Sequence, residues 1–391
     1  MFAGEDHRLA TARLARDSRY LWGAMTHVFD ADGHICEPPR VWEEYAERAF
    51  RDRVLQVRKL GQPWSELFAE GHGLGVNPAP ACIVGRIADD VDWSEILPGS
   101  YEPSARLEVM TEEGIDEACF FPSIYLLYGD IQDPEVAAAT CRAYNRWIAD
   151  FCKQDPSRLH AVGLVPLQSP KLAVEEAKRI ADLNLRGLCF RPERFDGLAL
   201  YDPSLDPLWT IAVEQNLPVC VHGSFGTRMP SFATARYQST NTFFTHMICH
   251  PFEQMAAVLD LIGGGVLDRF PRLRVGFFES GLGWLPYWLQ RLDEHFEVMG
   301  HLAPQLRRRP TEVFREQCFV SMEAEERSGL ETLVALGLVG SVLWGSDYPH
   351  YDAKYPGAYA AAEATFVAVG HDVREQIVSR NPRRFFGLAP F

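Results

Sequence analysis

The sequence lacks the features that would place it in several large classes at once. No stretch of its 391 residues approaches 18 uninterrupted apolar positions, so no membrane-spanning helix is expected. The first twenty residues, MFAGEDHRLATARLARDSRY, carry arginines but no apolar segment of a secretory leader, which predicts an unexported chain. Basic residues are outnumbered, 38 Lys and Arg against 53 Asp and Glu, giving a formal charge of −15. A basic face for nucleic acid or an anionic membrane is therefore not expected, and the partner predicted is a small-molecule substrate. The nine cysteines form no CxxC pair, and Cys119, Cys189 and Cys220 sit in apolar runs where a thiol behaves as a small hydrophobe. An odd, scattered set of this kind points to a reducing cytoplasm. No GxSxG elbow occurs, and VHGSFG at 221–226 is not one, which counts against a serine hydrolase.

What is present is the balance of a globular enzyme, 47% hydrophobic and 23% charged residues. The chain is organised around His27–Pro39, HVFDADGHICEPP. Val28, Phe29 and Ile35 favour a strand, and Asp30, Asp32 and His34 are set among them at spacing two. In a strand that spacing puts all three on one face, about 7 Å apart. Unpaired charge is costly to bury, and a bound cation would resolve the conflict. The competing reading is a strand end whose acids run out into solvent after Gly33.

Residues 1–26 read as an N-terminal extension without chemistry, and residues 27–391 as one domain. A long excursion follows the first strand, from Cys36 to about Ser104. It opens on a helical piece, VWEEYAERAFRDRV, and its length predicts a cap over a pocket. From Ala105 onward a rhythm begins, with helix-like segments 105–113, 136–154, 171–183, 208–214, 252–267, 283–298 and 330–335. Each precedes a short apolar strand: DEACFFP, HAVGLVPL, RGLCFRP, LPVCVHG, LRVGFFES, QCFVSM and GSVLWGSD. With the opening strand this makes eight, and the βα alternation predicts an α/β fold, a (β/α)8 TIM barrel. Chemistry in such barrels sits at the C-terminal ends of the strands.

Those ends carry Asp32 and His34 on the first strand, His222 on the fifth, Glu279 on the sixth and Asp347 on the eighth. Nitrogen and carboxylate donors of this kind suit zinc, manganese or ferrous iron. Each has a structural alternative: His222 as partner of a backbone carbonyl, Asp347 as a turn starter, Glu279 as the start of the next helix. Asp30, deeper in the strand, reads as a supporting acid.

The residues DADGH at 30–34, VHG at 221–223, the run 264–295 from GGVLDRFPRLRVGFFES to LDEH, WGSDYP at 344–349 and NPRRFFGL at 381–388 resemble the amidohydrolase superfamily. Within it they resemble the amidohydrolase-related branch that contains aminocarboxymuconate-semialdehyde decarboxylase and the resorcylate decarboxylases. The resemblance implies a divalent metal held by Asp32, His34, His222 and Asp347. It also implies a homodimer. Asp32 stands where the family has His or Glu, which makes the site more anionic and favours iron or manganese over zinc. Glu279 stands where the decarboxylases carry a catalytic His, and it can ligate the metal or help to hold a second ion. One or two metal ions per chain are thus expected.

His250 is the best remaining imidazole for proton transfer, with His246 and His350 behind it. Arg191, Arg228 and Tyr348 are candidate substrate-binding residues; Trp284 reads as packing. The leading expectation is hydrolysis, in which a metal-activated water attacks an amide, ester, lactone or thioester and Asp347 moves the proton. The alternative is non-oxidative decarboxylation of an aromatic or unsaturated acid, with Asp347 or His250 protonating carbon. A barrel that only binds a ligand or partner is a third reading, and it leaves the acids unexplained.

Overall fold

The computed structural model describes residues 26–59, 65–85, 93–224, 229–237 and 242–390. Eight parallel strands form its centre: β1 (Phe29–Ile35), β2 (Glu117–Pro122), β3 (Leu159–Ala161 and Gly163–Leu164), β4 (Leu188–Phe190), β5 (Val219–His222), β6 (Val275–Phe278), β7 (Cys318–Met322) and β8 (Val342–Trp344). β3 is broken at Val162, where it changes partners. Its first half pairs with β2 and its second with β4, and Val162 N donates to Phe120 O while Gly163 N donates to Gly187 O. The ring closes between β8 and β1 beyond their regular ladders, through Asp347 N to Asp32 O at 2.9 Å and His34 N to Tyr348 O at 2.8 Å. The expected (β/α)8 barrel is thus the architecture found.

The helices start as their sequences direct. Pro103, Pro134, Pro170 and Pro251 each occupy the first turn, where the missing N–H costs nothing. Asp133 and Ser169 accept from the backbone N–H groups of Glu135 and Leu172, capping 134–152 and 170–182. The strands are buried throughout, and side chains such as Phe120, Phe190 and Phe277 fill the core. Among the described residues no helix is long and apolar enough to cross a membrane.

The excursion between β1 and its helix Pro103–Glu113 departs from its expected form. VWEEYAERAFRDRV yields one wide turn, Val41–Tyr45, and the backbone becomes extended at Ala46. Val41, Trp42 and Ala46 are drawn into the core, while Glu47 pairs with Arg142 and Arg146 of the helix below. Tertiary contacts override helical propensity here. The rest of the excursion holds a small antiparallel sheet, Gln56–Lys59, Ser65–Ala69 and His72–Gly73. Its segment 76–81 reaches over the C-terminal mouth of the barrel.

Two features of β1 set up the site. Asp30 pairs with Ala118 and Gly33 with Phe120, so three steps on β1 span two on β2, a bulge at Ala31–Asp32. Simple alternation thus fails at this point. Gly345 lets β8 pass close to it: a Cβ there would sit 2.2 Å from Asp32 Cβ, a clash no side-chain rotation relieves.

Candidate metal centre

The barrel brings Asp32, His34, His222, Glu279 and Asp347 to one place. His34 Nε2 lies 3.1 Å from His222 Nε2, 3.7 Å from Asp32 Oδ1 and 3.5 Å from Asp347 Oδ1. His222 Nε2 lies 3.5 Å from Asp32 Oδ1 and 3.4 Å from Glu279 Oε2. Asp32 Oδ1 and Asp347 Oδ1 are buried and accept no hydrogen bond. Buried carboxylate oxygens are rarely left so.

The two imidazoles are aimed by their other nitrogens. His34 Nδ1 faces Pro122 O at 3.1 Å and His222 Nδ1 faces Gly223 O at 2.7 Å, and a carbonyl can only accept. Both Nδ1 atoms therefore carry the proton, and both Nε2 lone pairs point inward at one another. Two lone pairs at 3.1 Å repel unless a positive charge lies between them. Donors bonded to a common cation at about 2.1 Å stand roughly 3.0–3.5 Å apart, close to the separations found. The set fits a divalent cation.

Backbone and neighbouring side chains hold this arrangement under strain. Glu279 and Asp347 both adopt the left-handed conformation, at φ 53° and 55°, which costs a non-glycine residue of order 1 kcal/mol. Ser321 of β7 donates to Asp32 Oδ2 at 2.8 Å and accepts from Glu279 N at 3.0 Å, so one hydroxyl fixes two of the carboxylates. Ser321→Ala is expected to weaken metal affinity by about 10- to 100-fold with the fold retained, as competition against a fluorescent chelator would show.

Asp30 is turned away to Ser346, accepting from its N–H and its hydroxyl, and burial raises its pKa to about 6. Burial, and after it neighbouring carboxylates, push Glu279 and Asp347 well above the usual range. Burial pushes the His34 and His250 imidazoles down.

Further imidazoles lie around this core. His350 Nδ1 is 2.7 Å from Asp347 Oδ1, though not aligned for a hydrogen bond, and its Nε2 meets Ser123 Oγ at 3.1 Å. The His350 ring lies against that of His34, centroids 3.9 Å apart. His250 approaches through Gly223, where a Cβ would meet the ring at 2.3 Å. Its Nε2 lies 3.5 Å from Glu279 Oε1. A cavity of about 50 Å³ opens beside these groups, lined by His250, Glu279, His350 and Tyr351 and walled by Val76, Pro78, Ile124 and Leu127. A larger trough of about 850 Å³, bordered by Asp130, Arg194, Phe195 and Glu253, contains none of the donor atoms.

Two residues expected to contact substrate have other partners in the structure. Arg191 is fully buried and its guanidinium is taken up by Glu193, Ser224 O and Leu126 O. Its partner stands two residues away in CFRPE, a signal present in the sequence. Tyr348 is buried against the Arg106 guanidinium and Tyr355, away from the cavity wall. Arg228 lies outside the described residues.

Glu37 was not singled out from the sequence. Its buried carboxylate accepts from the N–H groups of Ser123, Ile124 and Tyr125, holding the loop that presents Ser123 to His350. Burial raises its pKa from 4.5 to about 7. The fold thus favours the protonated acid, and Glu37's contribution is fully present below pH 4.5 and lost as pH rises through 7. Urea unfolding at pH 4.5 and pH 8 is expected to show a loss in the native chain that exceeds that of Glu37→Gln by at most about 3 kcal/mol.

Comparison with known proteins fits this geometry. 2-Amino-3-carboxymuconate-6-semialdehyde decarboxylase of Dictyostelium discoideum is 22% identical over 341 residues, 86% of this chain and 91% of that protein. An amidohydrolase of Mycobacterium avium subsp. paratuberculosis, map2389c, superposes with a TM-score of 0.77 at 22% identity, over 93% of this chain and all of that one. A dihydroxybenzoic acid decarboxylase of Polaromonas sp. JS666, solved with bound manganese and 2-nitroresorcinol, superposes at 0.69 with 18% identity, over 93% and 97%. These findings correct the expectation of a hydrolase or thioesterase. The curated relative and the manganese-bound neighbour are decarboxylases, whose reaction incorporates no water. The amidohydrolase family model matches residues 86–388, more than three quarters of the sequence, and by that match and the motifs at its strand ends the chain belongs to the amidohydrolase family.

Proposed function

We propose that this chain is a metal-dependent, non-oxidative decarboxylase of an aromatic or unsaturated carboxylic acid. The observation that carries the reading is the cage of inward-facing donors with two orphaned carboxylate oxygens, beside a cavity walled by Val76, Pro78, Ile124 and Leu127. Asp32, His34, His222 and Asp347 hold the ion in this reading, with Glu279 Oε2 completing the set. Three carboxylates and two imidazoles favour manganese or ferrous iron, and the Polaromonas neighbour's manganese is consistent with that choice. When bound, such an ion would supply Lewis acidity toward the substrate's carboxylate.

The chain's own residues manage the proton. In the reaction the C–COO⁻ bond breaks, carbon dioxide leaves, and the electron pair stays on the substrate carbon until a proton arrives there. Asp347 and His350, with Oδ1 and Nδ1 2.7 Å apart, are the two groups we assign to its delivery, and Ser123 fixes the far side of the ring. The bond's electrons are easier to leave behind on a ring or conjugated carbon, which is why the substrate is an aromatic or unsaturated acid. Apolar side chains suit such a flat body. His250, expected as the proton carrier, faces Glu279 and is not the group we assign to this step.

The test is a panel of hydroxybenzoates and unsaturated acids incubated with manganese-loaded protein in heavy water. Carbon dioxide release is expected, with one deuterium on the vacated carbon and no solvent oxygen in the product. A product that gains solvent oxygen without carbon dioxide would end this reading.

A further inference from the structure

Glu279 presents its two oxygens to two different groups. Oε2 belongs to the cage, 3.4 Å from His222 Nε2, whereas Oε1 faces away from it, 3.5 Å from His250 Nε2 and 3.8 Å from His350 Nδ1. His250 is 4% exposed, and its Nε2 makes no hydrogen bond. Its other nitrogen meets the Cys249 thiol at 3.6 Å, which leaves Nε2 directed at Glu279. The ring of His246 packs edge-on at 4.8 Å, and one donor atom each of His246, His250 and Glu279 lie within 4.8 Å of one another.

The separation is informative. A His–Glu hydrogen bond would close to about 2.7–2.9 Å. At 3.5 Å with no bond the pair has the spacing of two donors on a common cation, as in the cage beside it. Charge argues the same way. The cage collects Asp32, Glu279 and Asp347, and one divalent ion against three buried carboxylates leaves the centre net negative, which is costly in a low-dielectric interior. Glu323 and Asp352 add further negative potential at Glu279.

We infer that His246, His250 and Glu279 Oε1 form a second divalent-cation site, with Glu279 bridging it to the first. The inference rests on the metal reading of the first cage but not on the identity of the reaction.

The experiment uses manganese alone. Full-length protein is stripped with chelator, reloaded with excess manganese, desalted and analysed for metal per chain. Two manganese per chain are expected for the native sequence, with the broadened, exchange-coupled electron paramagnetic resonance spectrum of a pair. His250→Ala and His246→Ala are each expected to hold one, with the spectrum of an isolated ion. Circular dichroism confirms that each variant is folded, and either variant serves alone should the other fail to fold. One manganese per chain in the native protein, or two in both variants, overturns the second site. Its fate is separable from that of the decarboxylase proposal. A single ion with carbon dioxide release removes the second site only, and two coupled ions without carbon dioxide release remove the reaction only.

Discussion

Asp347→Asn is expected to lower turnover by about a thousandfold or more while the protein still binds manganese at close to the native stoichiometry. Asparagine keeps an oxygen where Oδ1 stands but cannot exchange a proton with His350, 2.7 Å away. The two readouts separate holding the ion from moving the proton. Full carbon dioxide release by this variant would remove Asp347 from the proton step. His350→Gln is expected to lower turnover in the same direction, because Ser123 then fixes a group that cannot titrate.

The second large effect is expected for His34→Ala. His34 Nε2 lies within 3.1–3.7 Å of three donors, Asp32 on its own strand, His222 on β5 and Asp347 just past β8, so its loss opens the cage on three sides. Bound manganese should fall by at least one ion per chain after desalting, with activity falling in parallel. The variant is expected to stay folded, since burial already disfavours the imidazolium in the native ring and no charge partner is stranded. Retention of one tightly held ion at this cage would exclude it as the primary site.

Much of this centre was legible in the sequence because barrel chemistry obeys position. His34, His222, Glu279 and Asp347 lie at or just past the C-terminal ends of their strands, with Asp32 two residues before His34, and parallel strands around a ring must end at one mouth. The helices were legible for a similar reason, since prolines and capping side chains mark their starts locally. What was not legible depends on partners far away along the chain. The bulge in β1 exists only in register with β2. Ser321 matters because it meets Asp32, 289 positions earlier. Glu37 reads as a surface acid in CEPP until three N–H groups from the loop after β2 close over it. Glu279 in place of an expected imidazole turns the linear reading toward hydrolysis, and that reading does not show that His350 stands 2.7 Å from Asp347.

The left-handed backbone at Glu279 and Asp347 has a consequence for redesign. Glycine at either position would relax the local chain and remove the donor together, so a gain in robustness there comes only with a loss of chemistry. Stabilising this enzyme is therefore work for the outer helices, and selection for heat tolerance that reaches the mouth of the ring should yield inert proteins.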